Sequence, residues 1–236
     1  MKLLIPLLAI VGHFLSPLFA QAQTPAEPQA PRGRVAWFVC TAIPEGLENP
    51  IGYMSGADVG EVTLSKRSPS EAVKIPEDGV VRLVRKIPNP EDPAKPKFLT
   101  LAQGAVPEGV NQALLILVPT SQKPGEMVFN TKVQDLARFK NGDWMYLNLT
   151  TQDVRVDMGK TVIPLKSGAM AFFDASAYKE PTNLPIRYSF LRKEDQQWQM
   201  LSASTIVIYP TRREMCIFSW DEQFNRISYH GITLPL

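Results

Sequence analysis

What most limits the folds open to this chain is its punctuation. Short runs rich in Val, Ile, Thr and aromatic residues are cut about every ten residues by clusters of Gly, Pro, Asn and Asp. The 21 prolines are spread along 236 residues. Proline removes a backbone donor and breaks a helix interior, whereas the edges and loops of a sheet tolerate it. Helical periodicity is confined to a turn near Val133–Phe139 and another over Pro69–Ala72. The runs read as strands are Val35–Ala42, Glu61–Ser65, Val73–Ile75, Val80–Lys86, Lys97–Gln103, Ala113–Pro119, Met127–Val133, Trp144–Thr150, Val154–Asp157, Thr161–Leu165, Ala169–Asp174, Ile186–Arg192, Ser204–Tyr209, Met215–Trp220 and Arg226–His230. The expected class is all-β.

Four marks recur in the same order along the chain. Ile75-Pro76 followed by Gly79 and Val80–Val84 resembles Ile163-Pro164 followed by Gly168 and Ala169–Phe173. Leu114–Thr120 and Thr205–Thr211 both end a buried-looking run in Pro-Thr. Each half opens on a Trp strand, at Trp37 and Trp144, and continues past Pro-Thr into a Met-led strand, at Met127 and Met215. Ordered recurrence of this kind is the signature of a repeated unit. The expected architecture is two tandem Ig-like antiparallel β-sandwiches related by internal duplication, over residues 34–140 and 141–236, each of the size one such sandwich has.

The N-terminus reads as an export signal. Lys2 precedes an apolar stretch from Leu3 to Phe19 without acid, Lys or Arg, and Ala20-Gln21-Ala22 offers the small residues a signal peptidase reads. Residues 1–22 are therefore expected to be a cleaved signal, with a Pro-, Ala- and Gln-rich linker at 23–33. The product is expected outside the cytoplasm, periplasmic or secreted, with no membrane span after cleavage. The formal net charge is +2, with the bases scattered rather than gathered on one stripe. A nucleic-acid partner, which requires a concentrated basic face, is not expected.

Residue types that carry chemistry are sparse. After the cut His230 is the one histidine, and Cys40 and Cys216 are too far apart in sequence for a usual zinc spacing, so no metal or other cofactor is expected. The two cysteines allow either a disulfide tying the first strand to the last or a pair of buried thiols. Carboxylate pairs at Glu77-Asp78, Glu91-Asp92, Glu194-Asp195 and Asp221-Glu222 sit in turn-like segments, where acids satisfy the backbone. His230 has no nucleophile elbow beside it and reads as structural. Gly159-Lys160-Thr161 lacks the first glycine of a phosphate loop, and Asn148-Leu149-Thr150 matches a glycosylation sequon inside an expected strand. Trp37, Trp144 and Trp220 read as core anchors. Trp198, set among Gln196, Gln197 and Gln199, reads as an exposed aromatic and is the candidate binding residue.

Ala113–Pro119, the Met127-led strand, Leu136 to Phe139, Gly142–Thr150 and Val162–Gly168 together resemble exported bacterial β-sandwich proteins of unknown function. The resemblance implies a fold and a compartment and assigns no site residues. The expected function is a non-enzymatic cell-envelope module that binds or scaffolds an envelope protein or glycan. The alternatives are a carboxylate-dependent hydrolase and a structural assembly subunit.

Overall fold

The computed structural model describes residues 33–56, 58–92, 95–120 and 127–236. The expected signal 1–22 and all of the expected linker except Gly33 lie outside the described residues. The chain is all-β, with strands gathered in four four-stranded sheets and a short 3-10 turn at Leu136–Arg138.

In the first half an outer sheet runs in the order β3 (Asp58–Val62), β2 (Ile51–Ser55), β5 (Val80–Ile87) and β6 (Lys97–Ala105). An inner sheet runs β4 (Val73–Lys74), β1 (Val35–Cys40), β7 (Gln112–Pro119) and β8 (Phe129–Asp135). In the second half the inner sheet is β12 (Met170–Phe173), β9 (Trp144–Asn148), β15 (Arg213–Asp221) and β16 (Arg226–Leu234). The outer sheet is β11 (Thr161–Leu165), β10 (Val154–Met158), β13 (Thr182–Leu191) and β14 (Trp198–Ile208).

The two strand orders are identical once β9 is matched to β1. Both inner sheets contain one parallel pair, β1 with β7 and β9 with β15, in otherwise antiparallel ladders. Both long outer hairpins carry a register shift at the same place, between Leu83 and Val84 and between Tyr188 and Ser189. Thr41 N–H donates to Leu117 O at 3.0 Å and Leu149 N–H to Phe218 O at 2.8 Å, which sets Cys40 against Asn148 and Leu117 against Phe218 as counterparts. The chain is thus two similar sandwiches in tandem.

The structural repeat corrects most of the marks read in the sequence. Trp37 and Trp144 do fall on counterpart strands, one residue out of step. Val80–Val84 lies in β5, whereas Met170–Phe173 is β12, the counterpart of β4. Leu114 lies in β7 but Thr205 in β14, the counterpart of β6, and Met215 in β15, the counterpart of β7. Burial on both faces dictates similar apolar words wherever it occurs, so word likeness tracks layer position and not repeat register.

Three cores hold the layers. Phe38, Cys40, Leu83, Leu115 and Leu117 pack between the sheets of the first sandwich, and Tyr146, Val156, Tyr188, Cys216 and Phe218 between those of the second. The third core lies between the two inner sheets, where Val39, Leu114 and Ile116 meet Met145, Leu147, Met215 and Ile217. Strands β1, β7, β9 and β15 are therefore covered on both sides. Strict apolar-polar alternation gives way in them to unbroken apolar runs such as Ala113–Val118.

The crossing from one sandwich to the other is itself packed. Leu136 and Phe139 are buried in the central core, and the Arg213 guanidinium donates to Leu136 O at 3.0 Å. Asp143 accepts from Ala175 N at 2.9 Å and from Lys140 N at 3.0 Å. Residues 31–236 form one compact unit.

Several local expectations change. Ile51–Ser55 is a strand that its Gly and Ser disguise as loop, and Pro69–Ala72 has no helical turn. Strand β14 begins at Trp198, well before Ser204. Among the described residues no helix is long and apolar enough to cross a membrane.

Candidate functional site

The outward face of the first outer sheet is hollow at its centre. Gly52 on β2 pairs with Glu61 on β3 and Val84 on β5. A Cβ at Gly52 would lie 2.9 Å from Val84 O and 3.3 Å from Val59 Cγ1, so a side chain there has to displace its neighbours. Gly52 thus lets β2 pack close against its neighbours, and a groove of about 310 Å³ runs beside it, with walls that include Leu47, Pro50, Val59, Phe98 and Leu101. Asn49 fixes the loop wall by exchanging two hydrogen bonds with the Leu64 backbone, both at 2.9 Å.

Charged side chains border this apolar trough. Glu48, Glu61, Arg85 and Lys86 line it, and the Arg85 Nε is buried without a hydrogen-bond partner. A buried N–H of a charged group left unpaired is costly. The volume falls in the range of small-molecule sites, where a few polar groups orient a mostly apolar contact.

The same place in the second sandwich is filled. Register across β13 and β14 sets Trp198 against Leu191 as Phe98 is set against Lys86, so Trp198 is the counterpart of Phe98 and Arg155 of Gly52. The Arg155 guanidinium lies 5.2 Å from the centre of the Trp198 ring. It also donates to Asp157 Oδ2 at 3.2 Å, and Arg187 donates to the same oxygen at 3.0 Å. Trp198 is 44% exposed on this face. Cation–π contact and ion pairing together hold Arg155 across the face at the position where the first sandwich has Gly52.

The remaining sequence candidates are dispersed. Cys40 and Cys216 lie in different cores and are free, which corrects the disulfide reading in favour of buried thiols. Burial pushes both thiols up to about 12. Trp37 and Trp144 pack partly buried against the central and second cores. Trp220, expected in a core, is 46% exposed at the end of β15 beyond the packed layer.

His230 sits on the central face of β16, cross-strand from Ile217, with its Nε2 buried and unpaired. Desolvation lowers its pKa below the ordinary 6.5, assisted by the Lys66 charge, while a hydrogen bond with the Lys66 backbone acts in the other direction. Among the turn acids, the Val80 backbone N–H and then Arg82 hold Asp78 below the usual carboxylate range. Arg192 does the same for Asp195. No group of three His, Cys, Asp or Glu among the described residues is placed to hold a metal ion.

Asn148 is fully buried and donates to Gln152 O at 2.8 Å and Leu165 O at 3.1 Å, so the folded sequon presents no free amide. Gly159, with φ of 57°, turns the β10–β11 hairpin between Met158 and Thr161 and has no phosphate-loop geometry.

The groove residues Gly52, Val59, Arg85 and Phe98 carry no motif that would mark them in the sequence. A repeat aligned by strand order, setting Phe98 opposite Trp198, is the signal that exposes them. Neither a scan against protein-family models nor a search of curated proteins finds a match to this chain.

Proposed function

We propose that this protein is a non-enzymatic binding module of the bacterial cell envelope, exported to the periplasm or beyond, that takes a small amphipathic molecule in the Gly52–Phe98 groove. The observation that carries the reading is the difference between the two copies at one structural position. A groove bordered by charge lies beside Gly52 in the first, and Arg155 stands at the Gly52 position in the second. Packing alone favours filling such a space, so its retention in one copy supports a role in binding. The natural occupant is a component of the envelope, such as a lipid-like or glycan fragment or the side chain of a partner protein.

A hydrolase reading has one observation in its favour, since Glu48 and Glu61 line the same groove. Both are exposed. A general acid of a carboxylate pair keeps its proton through burial, so their setting suits a charged rim better than an acid–base pair.

The test is a titration with 1-anilinonaphthalene-8-sulfonate, an aromatic anion that mimics the proposed ligand class. One saturable site on the native protein is expected, weakened about tenfold or more by Phe98→Ala or Val59→Asp. Circular dichroism checks that these variants remain folded. Equal dye binding by both variants and the parent overturns the groove as the site. Turnover of ester or glycoside substrates that vanishes in Glu48→Gln or Glu61→Gln replaces the binding reading with the hydrolytic one.

A further inference from the structure

The seam between the sandwiches is built with an approximate two-fold relation. On β8, Lys132 stands cross-strand from Ile116, and its Nζ donates at 3.0 Å to Gly168 O in the β11–β12 loop of the other sandwich. On β16, His230 stands cross-strand from Ile217, the counterpart of Ile116, and meets the backbone of Lys66 in the β3–β4 loop. Each sandwich thus reaches from the same strand position into the same loop of its neighbour.

The two ends of this seam differ in content. At the Lys132 end, Val118 and Leu149 pack against the central core. Their counterparts at the His230 end are Ser219 and Thr41, by the alignment that matches Leu117 to Phe218 and the Thr41 and Leu149 hydrogen bonds. There the seam opens into a cleft of about 480 Å³ lined by both polar residues together with Ser228 and His230. Replacing fillers by hydroxyls at a layer boundary gives up apolar contact, and here it leaves a polar hollow.

Charge is sorted across that hollow. Lys66 and Arg67 come from a loop of the first sandwich, while Asp221 and Glu222 come from the β15–β16 hairpin of the second. None of these four charges is in an ion pair among the described residues. Opposite charges that line one cleft without pairing match a guest that carries both signs itself. The half-exposed Trp220 adds an aromatic wall, and the buried His230 Nε2 is a polar atom still without a partner.

We infer that this cleft is a second binding site, for a short zwitterion such as an amino acid or unblocked small peptide, with its carboxylate at Lys66 and Arg67 and its ammonium at Asp221 and Glu222. The site is separate from the groove of the first outer sheet and stands or falls independently of it. Trp220 packs on the apolar part of the guest, and His230 with the Ser219 and Ser228 hydroxyls meets its peptide or carboxylate groups.

Saturation-transfer NMR on the full chain tests this, using a pool of tryptophan-free unblocked dipeptides and the same pool acetylated and amidated at its ends. Members of the unblocked pool are expected to receive saturation, and the capped pool to receive none. Lys66→Ala with Arg67→Ala, and separately Asp221→Asn with Glu222→Gln, should each weaken binding about tenfold or more, as expected for loss of charge-assisted hydrogen bonds. All four residues lie at the surface, and the melting temperature of each double variant establishes that it is folded. Binding of the capped pool at equal strength, binding retained in both double variants, or binding of neither pool to the parent protein overturns the proposal. Free single amino acids run beside the dipeptides decide which zwitterion length the cleft prefers.

Discussion

In the first sandwich the outer strand β6 leans onto the inner strand β8. Val128 N–H donates to Leu101 O at 2.7 Å, and a Cβ on Gly104 would lie 2.9 Å from Leu115 Cδ2 and 3.0 Å from Thr131 Cγ2. In the second sandwich the counterpart strands β14 and β16 meet through side chains, with Tyr229 Oη donating to Ser202 Oγ at 2.8 Å. The position of Gly104 is taken there by an exposed Ser204. One glycine lets two sheets close over their core, and its replacement accompanies a more open pair in the other copy, with the inward-facing Tyr229 40% exposed. The repeated fold fixes strand order and the shared central core. Single residues then decide, copy by copy, which edges close and which hollows stay open.

The strongest way to break this comparison is to attack what the copies share. Leu114→Ala and its counterpart Met215→Ala each remove a filler of the central core and are expected to cost about 2–5 kcal/mol. Because both sandwiches rest on that core, urea unfolding followed by far-ultraviolet dichroism and by tryptophan emission should move as one transition in either variant. Separate transitions for the two probes would show that the copies fold independently.

A sharper test exchanges the closure residues. Gly104→Ser forces a side chain into the β6–β8 contact and should destabilise by about 1–3 kcal/mol through overpacking. The reverse change, Ser204→Gly, meets no such crowding and should cost about 0.5–1 kcal/mol through backbone entropy alone. Equal midpoints for the two variants in denaturant would remove Gly104 as the cause of the difference.

Acidification probes the two ends of the seam. The folded chain keeps His230 neutral to lower pH than the unfolded chain does, because burial and the Lys66 charge oppose its protonation. Lys66, Arg67, Asp221 and Glu222 are the charged groups around the same cleft. Between the folded and the ordinary value the unfolded state binds more protons, so this contribution is intact above about pH 6.5 and declines as pH falls through that window. Thermal unfolding from pH 7.5 to 5 should show a loss that His230→Gln reduces. An identical slope in parent and variant would assign the loss to other groups.

The smallest effect concerns the thiols. Neither Cys40 nor Cys216 should be alkylated by iodoacetamide in the native protein at pH 7.5, and both should be alkylated on unfolding, since burial holds the thiols protonated and covered. A mass two hydrogens light before any treatment would restore the disulfide.

Residues whose environment is fixed by local pattern were the ones readable in the sequence. Val35–Cys40 and Ala113–Val118 announce deep strands, and the glutamines around Trp198 announce its exposure. What the pattern hides is the partner of each buried face. An unbroken apolar run reads the same whether a second sheet or a second sandwich covers it, so the central core of Leu114, Ile116 and Ile217 had no local signature. Gly52 illustrates the opposite loss. It interrupts Ile51–Ser55 enough to make a strand look like a loop, and the crowding by Val84 and Val59 that requires a glycine comes from strands distant in the chain. Trp220 lies outside the core that alternation predicts for it, because alternation continues past the point where the layer above it ends.

The buried amide of Asn148 has a practical corollary for making the protein. An oligosaccharyltransferase acts on nascent chain before strands assemble, and it reads Asn148-Leu149-Thr150 without regard to the later fold. A sugar attached there replaces an amide hydrogen that Gln152 and Leu165 carbonyls need, in a pocket with no exit to solvent. Eukaryotic secretion is therefore expected to yield chains that stall before completing the second sandwich, and a host without that enzyme is the appropriate source.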